Sequence, residues 1–236
     1  MHEYCREVLA DLGRWARLDR CAEFVDELGS DASLIRGIEA CVSDEPAFRT
    51  KTWGSALDLG VFRVTLYALL RSTRPAHAVE TGVLHGLTSA YMLSALDCNQ
   101  HGRLTSIDLP SFFDAGPANH DGFADTLPRG RQPGWAIPAR LRGRWELHLG
   151  SSRDLLARCL GGGPIGLFLH DSEHTYDTMS FELGIAWPML SSGGFLVCDN
   201  VDTNAAFFDF CRSAGQAPFV VAQDRRGPIR FGILRK

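Results

Sequence analysis

The sequence predicts an α/β fold: a doubly wound sheet of parallel strands with helices on both faces, behind an N-terminal helical cap. Three observations predict it. From residue 76 onward, short apolar runs alternate with helical segments. Those runs end in acidic or glycine-containing turns, the places where such sheets put their ligands. Before residue 76 the apolar residues recur only at helical spacing.

The elements follow in order. Val8, Leu9, Leu12, Trp15 and Leu18, then Phe24, Val25 and Leu28, step by three and four, so residues 3 to about 41 read as helices. Gly29 and Ser30 interrupt them, and "DASLIRGIEACV" resumes the pattern. Asp44 and Pro46 mark a loop, after which "SALDLGVFRVTLYALLRST" predicts one helix closed by Pro75. Residues 1–75 are therefore expected to cap a main domain spanning 76–236. In that domain "HAVET" is a strand, "LTSAYMLSAL" a helix, "RLTSID" and "RWELHLG" strands, and "SSRDLLARCL" a helix. "IGLFLHD" is a strand, "TYDTMSFELGIAWPML" a helix broken by Pro188, and "GGFLVCDN" a strand. "TNAAFFDFCRSAG" is a helix, and "FVVAQD" with "GPIRFGILR" a terminal pair of strands. Residues 110–143, rich in proline and glycine, interrupt the rhythm and read as a lid-like insertion or a surface loop.

Composition narrows the function. The 236 residues are 45% hydrophobic and 22% charged, with a formal net charge of −4 and no basic block, so nucleic acid is not expected as a partner. No apolar run approaches the ~20 residues that cross a bilayer. The seven scattered cysteines never form C-x-x-C, and no signal-peptide pattern opens the chain; a cytoplasmic location is expected.

The strand ends carry the chemistry. In "VETGVLHG", Gly82 can take positive φ and admit a ligand to the backbone, and Gly86 can allow close packing of helix on strand. The dinucleotide pattern G-x-G-x-x-G is absent, with Glu80 in its first slot; a carboxylate there repels a pyrophosphate and favours a cationic ligand. Asp108, closing the next strand, suits ribose hydroxyls or is a solvated strand end. Ser151 and Ser152 suit an adenine edge or a helix cap. Asp171 follows the fourth strand and Asp199-Asn200 the fifth, so adjacent parallel strands would gather two carboxylates and an amide, an oxygen set suited to Mg²⁺. His174 can accept a proton near neutral pH, or is a solvated loop residue. His170 supports the site or donates a plain hydrogen bond, while Glu173, Tyr176 and Asp177 fall to the loop and the next helix start.

With these positions in place, residues 76–236 resemble the class I S-adenosylmethionine-dependent methyltransferases. The pattern is similar to the metal-dependent small-molecule O-methyltransferases of the catechol and caffeoyl-CoA type, and to the macrocin-type branch of bacterial secondary metabolism. The resemblance implies a Rossmann-like seven-stranded sheet. It implies S-adenosylmethionine held by Glu80, Gly82, Thr88, Asp108, Ser151, Ser152 and His170, with Thr88 near the methionine carboxylate. It further implies Mg²⁺ or a similar cation on Asp171, Asp199 and Asn200, and His174 where the family often has a lysine base, with Asp171 beside it in the catalytic group. The function expected is O-methylation of a small hydroxylated metabolite by an enzyme that can form a homodimer. The alternatives are a metal-independent N- or O-methyltransferase, or a non-catalytic S-adenosylmethionine-binding partner protein.

Overall fold

The computed structural model describes residues 2–46, 48, 51–109, 127–225 and 227–236. The cap comprises α1 (His2–Ala16), α2 (Glu23–Ser30), α3 (Ala32–Val42) and α4 (Val61–Thr73). The single helix expected over 55–73 is two pieces. A 3-10 turn, Ala56–Leu59, is fixed by reciprocal hydrogen bonds between Ser55 and Asp58, and Gly60 at φ +98° redirects the chain into α4.

The main domain runs β1 (His77–Thr81), α5 (Leu87–Asn99), β2 (Arg103–Asp108), β3 (Trp145–Leu149), α6 (Ser152–Leu160), β4 (Ile165–His170), α7 (Tyr176–Met189), β5 (Leu190–Cys198), α8 (Ala206–Ala214), β6 (Phe219–Ala222) and β7 (Arg230–Arg235). Helix α7 does not break at Pro188; it continues to Met189. The Lys236 ammonium gathers the carbonyls of Trp187, Pro188 and Leu190 at its end, supplying the donors a helix C-terminus lacks.

All seven strands form one sheet in the order β3-β2-β1-β4-β5-β7-β6. It is mixed rather than wholly parallel, because β7 runs antiparallel to both β5 and β6. The order reverses between β1 and β4, which opens a crevice at their carboxyl ends. Strand alternation sorts the core into two layers. Ala78, Leu104, Leu167, Leu169, Phe195 and Val197 join the cap helices and α5 on one face. Val79, Ile107, Phe168, Leu196 and Cys198 join α6, α7 and α8 on the other. Each fully buried Leu, Ile, Val or Phe among them contributes about 1.5–3 kcal/mol.

Candidate active site at the carboxyl edge of the sheet

The ends of β1, β2, β4 and β5 open into one cavity of about 840 Å³, within the roughly 300–1,000 Å³ of small-ligand sites. Gly82 lines it at φ +84°, as its sequence context predicts, but for a different reason. A Cβ there would stand 1.9 Å from the carbonyl oxygen of Asp171, so glycine lets the β1 loop meet the β4 loop. Gly86 likewise admits another loop rather than a strand: a Cβ would lie 2.7 Å from both Gly134 Cα and Ile137 Cγ1.

Asp108 lines the cavity, yet much of its accepting capacity is already used. One oxygen accepts from the Val83 and Leu84 N–H groups at 3.0 and 2.7 Å, and the other from Leu109 N–H at 2.7 Å. A carboxylate has about four acceptor positions, which leaves room for one more donor such as a ribose hydroxyl. Burial holds its carboxyl above the usual range even against these three donors.

Glu80 does not line the cavity. Its place in β1 turns it toward α5, where it is fully buried and accepts from Ser89 and Ser106 Oγ, both at 2.6 Å. Its second oxygen has no hydrogen-bond partner among the described residues, and desolvation, aided by the charge of Asp108, lifts its pKa to about 7. Thr88 lines the cavity from the first turn of α5. Ser151 and Ser152 also line it, and Ser151 caps α6 by accepting from Arg153 N–H at 3.2 Å. For Ser151, the capping reading is the one the geometry displays.

Asp171, Asp199 and Asn200 stand together on the same wall, Asn200 in the left-handed region at φ +49°. One ligand atom each from Asp171, His174 and Asp199 falls within a mutual 4.8 Å. Opposite ligands of a six-coordinate Mg²⁺ stand about 4 Å apart, so Asp171 and Asp199 are close enough to share one such ion, with His174 beside them. Burial, then the adjacent charge of Asp199, pushes the Asp171 carboxyl well above its usual range, and burial raises Asp199 too. Such a pair is costly as two anions and is relieved by a shared cation; the donor set fits a hard divalent ion.

Two further residues act on this pair. Gln223, at the end of the β6–β7 hairpin, donates from Nε2 to Asp199. Arg63, reaching in from α4, lowers the pKa of both aspartates through its charge and lines the same cavity. The sequence reading found neither. Arg63 had a signal, a lone charge in the otherwise uncharged run "VFRVTLYALL", whereas Gln223 had none.

His170 is not a cavity residue either, contrary to its expected place beside the cofactor. The last residue of β4 points to the α7 face, fully buried, with Nδ1 2.7 Å from Glu182 Oε2. Glu182 also accepts from Thr81 and, at 2.9 Å, from Ser172. Burial alone would raise the Glu182 carboxyl, but His170, with hydrogen bonds from Ser152 and Thr81, brings it below its usual value. The cluster ties β1, the β4 loop and α7 together. His174 follows in that loop, its ring edge-on to His170 at 5.6 Å and its carbonyl held by Asn204 Nδ2 at 2.9 Å. Glu173 accepts from Thr178 at 2.7 Å, and Tyr176 opens α7, as the sequence suggests.

The cap supplies the remaining wall through Phe48, Lys51, Trp53, Leu59 and Phe62. Of the expected lid, residues 110–126, including Phe112 and Phe113, lie outside the described residues. Trp135 is described; its Nε1 donates to His85 Nδ1 at 3.0 Å, and both rings meet Phe48 edge-on at the rim. Among the described residues, no helix is long and apolar enough to cross a membrane.

A seven-stranded sheet with one reversed strand and a cavity at its switch point defines the class I methyltransferase fold. The family model for the methyltransferase domain matches residues 79–201, just over half the chain, and the chain belongs to that family. It is a methyltransferase. A search of the curated proteins finds no match to this sequence. Solved structures do match. The O-methyltransferase TomG from Streptomyces achromogenes, involved in tomaymycin synthesis and solved with SAM, is 17% identical, with 90% of this chain and 93% of TomG covered, at a TM-score of 0.58. An O-methyltransferase from Bacillus cereus, solved with SAH, is 15% identical over 85% and 91% of the two chains, also at 0.58. The O-methyltransferase NovP is 16% identical over 86% and 96%, at 0.56. At these identities the likeness is one of fold.

Proposed function

We propose that this protein is an S-adenosylmethionine-dependent O-methyltransferase that acts on a small hydroxylated metabolite with the help of Mg²⁺ or a similar cation. The observation that carries the reading is the mutually repelling pair Asp171 and Asp199, with His174 and Asn200, inside the cavity that Gly82, Asp108 and Ser151 also line. When bound, S-adenosylmethionine supplies a methyl group on a cationic sulfur, and the divalent ion supplies a fixed positive charge that makes a nearby hydroxyl more acidic.

The chain's own residues do the rest. Asp171, Asp199 and Asn200 would hold the ion, and Asp108, Ser152 and the Gly82 turn would hold the nucleoside. His174 would take the acceptor's hydroxyl proton as its oxygen bonds to the methyl carbon and the carbon–sulfur bond breaks, leaving a methyl ether and S-adenosylhomocysteine. The aromatic cap wall around Phe48 and Trp53 would orient the acceptor and exclude water. Alignment of this kind is worth about 7–11 kcal/mol in well-oriented reactions.

A second reading, the same transfer without metal, draws on Gln223 and Arg63, which give the aspartates a hydrogen bond and a counter-charge from the protein itself. Chelation separates the two. With a panel of vicinal diols as acceptors, EDTA should abolish turnover and added Mg²⁺ restore it; turnover indifferent to EDTA favours the metal-free reading.

A further inference from the structure

Helices α6 and α7 meet at their first turns, on the face of the sheet away from the cap. Arg153 lies over the Phe181 ring at 5.0 Å, and Ser152 hydrogen-bonds to Glu182. Phe181 and Glu182 stand one helical turn from Thr178, whose Oγ1 donates to Glu173 Oε2 at 2.7 Å. Ser151, Ser152, Arg153, Glu173 and Thr178 all line the cavity, and these contacts draw them into one corner of it.

That corner has a definite hydrogen-bonding pattern. Ser151 Oγ accepts from Arg153 N–H at 3.2 Å, which leaves its O–H proton for a ligand. Ser152 directs its own proton to Glu182. Glu173 is half-buried, and Thr178 takes only part of the accepting capacity of its two oxygens. Asp108, the other acid toward this side, spends three positions on backbone N–H groups. Arg153 is exposed and offers donors only. Glu173 is thus the chief acceptor of the corner, with the Ser151 hydroxyl as a donor close by. An acceptor beside a donor matches adenine, whose 6-amino group donates and whose adjacent ring nitrogen accepts. A 6-oxo purine reverses both.

Resting on the reading that S-adenosylmethionine binds here, we infer that Glu173 recognises the 6-amino group of the cofactor's base, with Ser151 donating to the ring nitrogen beside it, so that the site rejects 6-oxo nucleosides. Glu173 is then a specificity-determining residue. The loop that brings Asp171 and His174 to the proposed cation brings Glu173 to the nucleoside.

Calorimetry tests this with S-adenosylhomocysteine and its 6-oxo analogue, S-inosylhomocysteine. Wild type should bind the adenine form at least about 30-fold more tightly. Glu173→Gln keeps an acceptor for Thr178 and adds an amide N–H that can face a 6-oxo group. Its preference should fall to about threefold or less, with the melting temperature unchanged. Equal affinities in wild type would overturn the inference without recourse to any variant, and a preference for the 6-oxo form would overturn it in favour of Arg153. Equal proportional losses for both ligands in Glu173→Gln would also overturn it, showing that Glu173 only anchors the start of α7. Failure of wild type to bind S-adenosylhomocysteine at all would remove the cofactor reading itself, and the inference with it.

Discussion

On the β1–β2 side of the sheet edge, Glu80 and Asp108 are surrounded by donors. Two serine hydroxyls serve the first and three backbone N–H groups the second. On the β4–β5 side, Asp171 and Asp199 hydrogen-bond to each other, Asp199 also accepts from the Asn200 N–H and from Gln223, and the charge of Arg63 lies nearby. All four are strand-end or near-end acids of one sheet. The difference is one of pairing: Glu80 and Asp108 are each served by donors of their own, whereas Asp171 and Asp199 crowd each other and are the pair that the proposed cation would relieve.

The largest effect should come from the Asp171–Asp199 half of that contrast. Asp199→Asn should weaken Mn²⁺ binding, read by electron paramagnetic resonance, by at least about 100-fold, roughly 2.7 kcal/mol. The cation-free variant should be no less stable than wild type, because the repulsion at Asp171 is gone. Undiminished Mn²⁺ affinity would erase the distinction between the two sides.

Next comes Asp108, on the other side. Asp108→Ala strands the N–H groups of Val83 and Leu84, at about 1–3 kcal/mol each, and should lower urea-unfolding stability accordingly. Calorimetry should also find S-adenosylhomocysteine bound about tenfold more weakly, since the β1 turn loses its anchor. A variant of wild-type stability would mean that Asp108 anchors nothing and belongs with the other pair.

Glu80 gives the smallest and most diagnostic effect. Its folded pKa, about 7, lies above the ordinary value of 4.5, so the folded protein binds this proton more tightly than the unfolded chain does. Stability from this group is therefore full below about pH 4.5 and lost as pH rises through about 7. Glu80→Gln removes the titration while keeping an acceptor for Ser89 and Ser106. Its melting temperature should gain on wild type between pH 5 and 7 and hold that lead above 7, a difference of about 1–3 kcal/mol. A gap that does not change with pH would show Glu80 to be ionised throughout.

Much of this site could be read without a structure. In a parallel sheet every strand delivers its last residues to one edge, so Asp108, Asp171, Asp199 and Asn200 had to come near one another once the strands were recognised. Positive φ at Gly82 was legible for the same local reason. Glu80 and His170 were misplaced because a strand end has two faces and a cavity mouth. Which of the three a side chain takes depends on the layers packed above and below: α5 with its Ser89 claims Glu80, and α7 with Glu182 claims His170. Gln223 reaches Asp199 only because β7 runs backward between β5 and β6, a pairing no local pattern announces.

The sequence by itself determined the strand and helix order, the acids at the strand ends and the absence of a pyrophosphate turn. Each of these follows from short-range periodicity or from residue chemistry within a few positions. Tertiary structure alone decided which acids found donors of their own and which crowded each other. It also brought Arg63, Lys51 and Phe48 from the cap to the cavity wall. Burial and electrostatic pairing depend on neighbours far away along the chain, and only the packed layers bring those neighbours together.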